Sequence, residues 1–368
     1  MAMEGGAFPV LVLGSGRMAQ RIAHTFADDP RFAPTLAARD ADAVLGPGFA
    51  VLPPLTGALS EALARALRGQ RAVVLADPAL TGAEVARAAL MAGCHYLDIV
   101  ESAASGAAVA RMADEARAAG VTLAPGCGLA PGWVTALAAE TLAEASPGDE
   151  ITVFVGVLPA QPANRLGYAN IWGIEGLVAE YTAPCLAVRN GVLADLPPLA
   201  EEETVHFAGQ RLEAFTTAGS LDVLARDWQG RIGGLVFKTL RHPGHLEYIR
   251  FLLDDLGLGK RLYQFRTLLT TALPRTEDDR VLIAIRRRSG ATEHWASHVM
   301  QAGSDGSGTP VSAVSTVTAA HVCATLDLIR RGDVAPGLAA PGDLRPGLLR
   351  RSAFFGLLEP DRMVGQAV

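Results

Sequence analysis

A glycine-rich turn near the start of the chain is the segment whose residue types and spacing point most directly to chemistry. The apolar run that begins at Phe8 breaks into Gly-Ser-Gly-Arg-Met-Ala, which ends at Ala19 and continues as a helix-like pattern. In this spacing Gly14 permits a tight turn, and Gly16 lets backbone N–H groups approach a pyrophosphate at a helix N-terminus, although a purely structural turn is the alternative. The residues of this turn predicted to bind a dinucleotide are Gly14, Gly16, Arg17 and Met18.

The end of the second predicted strand, over residues 35–39, bears on the choice between NAD and NADP. NAD-binding units usually place an acid there to accept a hydrogen bond from the ribose 2′-hydroxyl. This chain has Ala38, followed by Arg39, whose guanidinium can pair with a 2′-phosphate. The two residues therefore favour NADP. The alternative is that Asp40 serves as the acid, which would make the protein NAD-dependent or dual.

The elements that must position this turn alternate between strand and helix through the first third of the chain. The predicted strands after the first cover 35–39, 49–52, 72–77, 95–100 and 121–125. The predicted helices cover 17–26, 60–67, 81–92 and 105–119. Such alternation predicts an α/β fold with a Rossmann doubly wound parallel sheet, in which ligands bind at the carboxyl ends of the strands. The residues predicted at those ends are Asp77, Pro78, Asp98, Gly126, Cys127 and Gly128.

From residue 150 the pattern changes to that of a mixed α+β domain. Strand-like segments cover 151–157, 185–188, 203–207 and 235–240, and Asn190-Gly191 is typical of a two-residue hairpin. A second hairpin turn over 304–309 is predicted to join strands 293–300 and 310–317. An amphipathic helix over 318–331 is expected to return to the first domain. We therefore predict a nucleotide domain of residues 1–130 and 315–368, and a substrate-binding and dimerisation domain of residues 131–314.

Composition excludes several classes of protein. The chain has 368 residues, 50% hydrophobic and 19% charged, with a net charge of −6, which is typical of a globular protein and disfavours nucleic acid as a partner. Its apolar stretches are too short for a membrane helix, and its start does not resemble a signal peptide. The four cysteines lack metal-ligand spacing. We expect a cytoplasmic, metal-free protein that forms a homodimer or higher oligomer through the open sheet edge of its second domain.

Several strings of residues together resemble one family. They lie at 96–98, 126–132, 172–181, 212–217, 238–245 and 315–328. In combination they are similar to the saccharopine dehydrogenase-like superfamily, and most of all to bacterial L-lysine 6-dehydrogenases. The resemblance implies oxidation of the ε-amine of L-lysine to allysine, which cyclises to Δ1-piperideine-6-carboxylate. One departure is Ala38, because NAD-using members carry an acid at that position.

The chemistry implied by the resemblance needs a base, a dry pocket and groups that hold the far end of the substrate. Arg241 is the candidate for the α-carboxylate, because a guanidinium binds a carboxylate through two hydrogen bonds, and Glu175 is the candidate for the α-ammonium. The catalytic candidates are Lys238 as base, His245 as proton relay and Asp98 as the group that orients water or the amine. The structural alternatives are an ion pair for Arg241, a solvated Lys238, a buried His245 and a helix cap for Asp98.

Two other functions fit the same residues. A saccharopine reductase or carboxynorspermidine-type enzyme would join an amine to an aldehyde and reduce the imine with NADPH. Such a substrate has a further acidic arm, so its pocket would need a second cation. A nucleotide-sensing scaffold that has lost turnover is the non-enzymatic alternative.

Overall fold

The computed structural model describes residues 6–39, 46, 48–53, 55–219, 221–306 and 308–359. Backbone contacts divide the chain into two units. Unit 1 consists of the described residues of Met1–Ala136 and Ser315–Leu358, and unit 2 of those of Leu137–Val314 and Glu359–Val368. Asp40, the alternative acid for an NAD ribose, lies outside the described residues.

Strands and helices alternate in the first part of the chain, whereas strands dominate the second. The strands are β1 Phe8–Leu13, β2 Phe32–Ala37, β3 Ala50–Val51, β4 Ala72–Leu75, β5 His95–Asp98, β6 Thr122–Ala124, β7 Glu150–Pro159, β8 Cys185–Arg189, β9 Val192–Leu196, β10 Glu203–Phe207, β11 Gln210–Thr216, β12 Gly234–Arg241, β13 Asp279–Ser289, β14 Thr292–Gln301, β15 Gly303–Ser304, β16 Pro310–Val311 and β17 Gly337–Leu338. The α-helices are α1 Arg17–Ala27, α2 Leu59–Ala66, α3 Gly82–Met91, α4 Ala103–Ala110, α5 Ala113–Ala119, α6 Trp133–Ala143, α7 Ile174–Thr182, α8 Asp222–Trp228, α9 His245–Arg250, α10 Leu262–Ala272, α11 Ala313–Arg330 and α12 Pro346–Leu349.

Unit 1 is built on a parallel sheet with the strand order β17-β6-β5-β4-β1-β2-β3. Strands β1 and β4 are almost entirely buried, which explains why they appear in the sequence as continuous apolar runs. The strand order reverses at β1, so the turn after β1 lies where ligands of such sheets bind. The predicted doubly wound α/β fold is confirmed.

One helix prediction in unit 1 is wrong. The segment predicted as a single helix over 105–119 forms the two helices α4 and α5. Between them Met112 leaves the helical conformation, with φ −94° and ψ 7°, and its side chain is buried in the core of the unit with Val109 and Ala116. Apolar periodicity continues across this break, which is why the pattern alone reads as one helix.

The predicted strand over 310–317 is wrong beyond Val311. The predicted turn over 304–309 does join two strands, β15 and β16, but α11 begins at Ala313. The reason is distant in sequence: the buried carboxylate of Asp279 accepts hydrogen bonds from the N–H groups of Ala313 at 2.6 Å and Val314 at 3.0 Å. These first-turn donors have no partner within the helix, so Asp279 caps it. Helix α11 is also buried nearly all round, and therefore not amphipathic as predicted.

Unit 2 contains a mixed sheet with the order β10-β11-β12-β7-β13-β14, on which β8 and β9 are added beside β12. Only β12 and β7 pair in parallel among the described strands of this sheet. The predicted Asn190-Gly191 hairpin is confirmed, since both residues have positive φ between β8 and β9, as a two-residue hairpin turn requires. Strands β10 and β14 are the ends of the order, and assembly into a homo-oligomer through an edge of this sheet stays a prediction.

Replacing Gly132 with alanine is expected to lower the free energy of unfolding by about 3 kcal/mol or more. Gly132 has φ +129°, and an added Cβ would lie 1.9 Å from the carbonyl oxygen of Gly128, which is part of the backbone and cannot move aside cheaply. Gly106→Ala is the control, because a Cβ there meets open space on helix α4. In that variant the free energy of unfolding should increase by about 0.5–1 kcal/mol. Chemical denaturation of both variants checks this, and equal midpoints for Gly132→Ala and wild type would contradict the close approach.

Candidate functional site

The turn after β1 has the shape that a pyrophosphate needs. Gly14 has φ +140°, and an added Cβ would lie 2.8 Å from the carbonyl oxygen of Ala76 and 3.1 Å from the Cβ of Ala19, so the helix packs against the strand too closely for a side chain. A Cβ on Gly16, in contrast, meets nothing within 4 Å. Gly16 precedes α1 without any side-chain cap, and the first helical turn includes the predicted residues Arg17 and Met18. Open space beside uncapped N–H donors fits a phosphate group.

An ion pair at the carboxyl end of β1 joins the segments that follow its two neighbouring strands, β2 and β4. Arg39 follows β2 and donates from Nε to Oδ2 of Asp77, which follows β4, at 3.1 Å. The other oxygen of Asp77 accepts from the N–H of Ala79 at 2.9 Å, so the carboxylate is held. Ala38 is buried beside them, and Pro78 is exposed. Arg39 is therefore a half-exposed cation at the edge of the sheet where the cofactor is predicted to bind, and its Nε is already bonded to Asp77.

Asp98, at the end of β5, accepts hydrogen bonds from the backbone of two different segments. Its carboxylate accepts hydrogen bonds from the hydroxyl of Tyr96 at 2.5 Å, the N–H of Val100 at 3.0 Å and the N–H of Gly126 at 2.8 Å. Burial raises the pKa of Asp98, while these three donors oppose the rise. Helix α4 is capped by Ser102 instead, so the helix-cap alternative is wrong. The carboxylate of Asp98 thus connects β5 to the loop after β6 through hydrogen bonds. These contacts do not support its predicted catalytic role.

The loop over 126–132, which follows β6, depends on its glycines. Gly126 has φ +69°, and a Cβ there would lie 2.9 Å from Cγ of Pro131. A Cβ on Gly128 would lie 3.3 Å from the carbonyl oxygen of the same proline. The loop is thus folded tightly on itself, and close backbone packing explains its glycines independently of any cofactor.

Two buried side chains fix the middle of this loop. The thiol of Cys127 lies 3.2 Å from the carbonyl oxygen of Ala124, and burial raises its pKa, so it is an inert group. Nδ1 of His321, on α11, lies 2.9 Å from the carbonyl oxygen of Cys127 and donates to it. Burial lowers the pKa of His321 to about 4, so the ring is neutral. Sequence reasoning missed His321, because nothing in its helical surroundings points to the loop.

In unit 2, Arg241 forms the centre of a buried polar cluster at the end of β12. Its side chain is 2% exposed and donates from Nε to the hydroxyl of Tyr181 at 2.9 Å and from Nη1 to the carbonyl oxygen of Leu240 at 3.0 Å. Nη2 donates to Oε2 of Glu180 at 3.2 Å. The guanidinium carbon also lies 4.8 Å from the centre of the Tyr168 ring. A planar cation held on several sides in this way has little conformational freedom to lose when it binds an anion.

His245 supports this cluster from within the protein. Nδ1 lies 2.8 Å from the carbonyl oxygen of Leu166 and must donate to it, so Nε2 accepts from the hydroxyl of Tyr181, also at 2.8 Å. Burial, with the nearby charge of Arg241, lowers the pKa of His245 to about 3. Both ring nitrogens are therefore engaged in a neutral ring. His245 orients Tyr181, and Tyr181 in turn orients Arg241, an arrangement that fits positioning better than the predicted proton relay.

Glu180 is the acidic member of the cluster. Its side chain is 22% exposed, and burial raises its pKa to about 7 although Arg241 lowers it. Sequence reasoning chose Glu175 on the same helix, but that side chain is 72% exposed and lies 3.9 Å from Arg266. The buried residues Leu177, Val178 and Tyr181 mark the inner face of α7. At about 100° per residue, Glu175 and Glu180 flank this face on opposite sides at similar angles, so the phase of the helix alone does not select Glu180.

Lys238 does not join Arg241, although both belong to one short string of the sequence. Side chains alternate along a strand, so residues three apart on β12 point to opposite faces of the sheet. Nζ of Lys238 donates to the carbonyl oxygen of Glu201 and to Oε1 of Glu203, both at 2.6 Å. Arg286 pairs with the same carboxylate at 2.8 Å. Lys238 thus belongs to a structural ion-pair network, and its contacts do not support the predicted role as base.

Acid is expected to destabilise the protein through three neutral histidines, of which His245 and His321 are buried and His95 is partly buried. Burial lowers the pKa of His95 and His321 to about 4 and that of His245 to about 3. Since the ordinary pKa is near 6.5, the unfolded chain binds more protons below that pH, and stability falls as pH drops from 6.5 towards 4. Each histidine should account for about 2 kcal/mol between pH 7 and pH 5.

Urea unfolding of wild type and His321→Gln at these two pH values measures this loss. The amide of glutamine can still donate to Cys127 but does not titrate, so the variant should lose less stability in acid than wild type. His206→Gln, at an exposed position, is the matched control and should retain the wild-type acid dependence. An unchanged acid dependence in His321→Gln would contradict burial of a neutral ring.

Metal ligands and membrane-spanning helices do not appear among the residues that the structure describes. None of their His, Cys, Asp and Glu side chains form a group of three or more that could hold a metal ion. The four cysteines are buried and free. Across the same described ranges no helix is both long and apolar enough to cross a membrane.

Comparisons with known proteins agree with this architecture. Residues 10–124 match the saccharopine dehydrogenase NADP binding domain, and residues 128–351 match the saccharopine dehydrogenase C-terminal domain. Apo saccharopine dehydrogenase (L-Glu forming) from Saccharomyces cerevisiae is similar in structure, with a TM-score of 0.73 and 16% identity over 94% of this chain and 96% of that one. A C. glutamicum DAP dehydrogenase in complex with DAP gives a TM-score of 0.50 and 12% identity, again over 94% and 96%.

The fold, the glycine turn and the matched nucleotide domain define the class of protein, which is a nicotinamide-dependent oxidoreductase. The chain belongs to the saccharopine dehydrogenase family, whose two domains together cover nearly all of it. The family resemblance predicted from the sequence strings is confirmed. The finer assignments, to L-lysine 6-dehydrogenase and to NADP rather than NAD, stay predictions.

Proposed function

We propose that this protein oxidises the ε-amine of L-lysine to allysine, with NADP preferred over NAD. The observation that carries the proposal is Arg241, a buried guanidinium fixed by Tyr181 and Tyr168 next to an acidic side chain. A cation fixed in this way suits the α-carboxylate of an amino acid. The family supplies the reaction class.

The residues around Gly14, Gly16 and Arg39 would hold the nucleotide. The uncapped start of α1 offers N–H donors to the pyrophosphate, and Arg39 offers its outer nitrogens to a 2′-phosphate. When bound, the nicotinamide supplies a hydride acceptor. The chain's own residues then have to bind and orient the amino acid and keep water away from the reacting carbon.

The ε-ammonium of lysine first loses a proton, and the ε-carbon of the neutral amine then gives up a hydride, which leaves an iminium. Water adds to that carbon, ammonia leaves together with a proton, and the α-amine attacks the resulting aldehyde and closes the ring with loss of water. Arg241 would hold the carboxylate throughout, at the far end of the substrate from the reacting carbon. Because the amine reacts in its neutral form, the rate should increase with pH towards the pKa of the ε-ammonium, about 10.4.

The test is incubation of the purified protein with L-lysine and either nucleotide at alkaline pH. Reduced nicotinamide is followed by absorbance, and Δ1-piperideine-6-carboxylate is identified by mass spectrometry. L-Norleucine, which has the same chain without the ε-amine, is the matched control and should give neither signal. A protein that binds NADP but reduces none with L-lysine would overturn the proposal.

The imine-reducing alternative rests on the family match itself. A saccharopine-type substrate carries a further acidic arm and needs a second cation. The group that accompanies Arg241 is instead the carboxylate of Glu180, which attracts an ammonium and repels a second carboxylate. Turnover of saccharopine with NADP, in a preparation inactive towards L-lysine, would favour the alternative.

A further inference from the structure

Glu180 and Arg241 present both signs of charge at one place. Nη2 of Arg241 and Oε2 of Glu180 are 3.2 Å apart. An α-amino acid carries its carboxylate and its ammonium on the same carbon, so its two charges are also adjacent. The pair therefore matches the head group of an amino acid in the sign and the closeness of its charges.

Both members of the pair retain hydrogen-bonding capacity. A guanidinium has five N–H groups, and the contacts of Arg241 with Tyr181, Leu240 and Glu180 engage three of them. Within the part of the chain that the structure describes, Glu180 uses Oε2 for its bond to Arg241, and Oε1 makes no hydrogen bond. The exposure of Glu180, 22% against 2% for Arg241, places the accessible side of the pair at the carboxylate.

The contacts around the pair favour recognition over a purely internal ion pair. Tyr181, oriented by His245, and the ring of Tyr168 hold Arg241 in place without using Glu180. Glu180 is thus not needed as the only anchor of the cation. Its carboxylate stands at the edge of the cluster, where a second cation can approach.

We infer that Glu180 binds the α-ammonium of the substrate while Arg241 binds its α-carboxylate, so that the site selects α-amino acids over simple ω-amino acids and amines. Glu180 acts as a specificity-determining residue in this arrangement. The identity of the amino acid as L-lysine rests on the proposed function. The selection for a zwitterionic head group does not.

Truncated ligands test this inference directly. Calorimetry on the full chain compares L-lysine with 6-aminohexanoate, which keeps the carboxylate and the ε-amine but lacks the α-amine. Wild type should bind L-lysine at least about tenfold more tightly. Glu180→Gln should bind L-lysine about as weakly as 6-aminohexanoate, whereas its affinity for 6-aminohexanoate should equal that of wild type. The second result also shows that the variant is folded.

Glu175→Gln separates this residue from the one that the sequence predicted. It lies on the same helix, and its variant should retain the wild-type preference. The inference is overturned if wild type binds the two ligands equally or not at all, if Glu180→Gln keeps the preference, or if Glu175→Gln removes it. If Glu180→Gln does not fold, the wild-type comparison still tests whether the site selects the α-ammonium.

The proposed function and this inference can fail separately. If L-lysine is not oxidised, yet an α-amino acid such as L-glutamate binds in a way that depends on Glu180, the inference stands and the proposed function falls. If L-lysine is oxidised and Glu180→Gln leaves the ratio of KM values for L-lysine and 6-aminohexanoate unchanged, the reverse holds.

Discussion

Arg241→Ala is expected to raise the KM for L-lysine by about 30-fold or more, and to leave the KM for the nucleotide unchanged. Removing one partner of a buried, hydrogen-bonded charge pair typically costs about 2–5 kcal/mol. The loss should fall on the carboxylate end of the substrate, because Arg241 is held in unit 2 by Tyr181 and Tyr168, whereas the residues proposed to hold the nucleotide belong to unit 1. Steady-state kinetics with each substrate varied in turn measures the effect.

Controls for this prediction address folding and charge. Arg241→Ala leaves Glu180 without its cation, so urea unfolding must accompany the kinetics. Arg241→Lys keeps the positive charge but lacks the planar fork, and should fall between wild type and the alanine variant. Arg266→Ala removes a half-exposed arginine whose acidic neighbour, Glu175, lies 3.9 Å away, and should leave the KM for L-lysine unchanged. A folded Arg241→Ala protein with the wild-type KM would remove Arg241 from the substrate site.

The nucleotide half of the fold was predictable because its signals are local. A buried parallel strand must be apolar on both faces, so β1 and β4 appear as short apolar runs. Gly14 is required locally by its backbone angle, φ +140°, and also by the closeness of Ala76, which follows the neighbouring strand β4. A steric requirement of this kind leaves few residue choices at Gly14, and the sequence shows it directly.

The contacts in unit 2 were harder to predict, because they depend on which face of a strand a side chain occupies and on segments distant in sequence. Lys238 and Arg241 share a string, but strand alternation sends them to opposite faces, where one pairs with Glu203 and the other with Glu180. Glu175 and Glu180 share a helix, yet only Glu180 faces Arg241. Residue type and proximity along the chain therefore identified the string that contains Arg241, but not the side chains that its residues contact.

Contacts between distant segments account for most other differences. Asp279 sets the start of α11, and His321 of that helix holds the carbonyl oxygen of Cys127. The residues near Ala313 and Cys127 in the sequence do not indicate either contact. A single sequence shows which residues are present but not which of them come into contact, because these contacts form only when the chain folds.

The nucleotide preference should reverse with substitutions at two adjacent residues. Arg39→Ala is expected to weaken NADP binding by about 10- to 100-fold and to change NAD binding little, because a charge-assisted bond to a phosphate contributes about 1.5–3 kcal/mol. Asp77 strengthens the effect. In wild type its carboxylate is paired with Arg39 at 3.1 Å, and without that partner it would repel a 2′-phosphate. Calorimetric titration with each nucleotide, in the absence of amino acid, measures the ratio independently of turnover.

Ala38→Asp completes the reversal and identifies the position that reads the ribose. The side chain of Ala38 cannot accept a hydrogen bond, whereas an aspartate there would accept from the 2′-hydroxyl of NAD and repel the phosphate of NADP. NAD affinity should therefore rise while NADP affinity falls. Asp40→Asn is the comparison, since Asp40 is the competing acid, and it should leave both affinities unchanged. Equal or better kcat/KM for NAD in wild type, lost in Asp40→Asn, would show that Asp40 reads the ribose, two positions beyond Ala38.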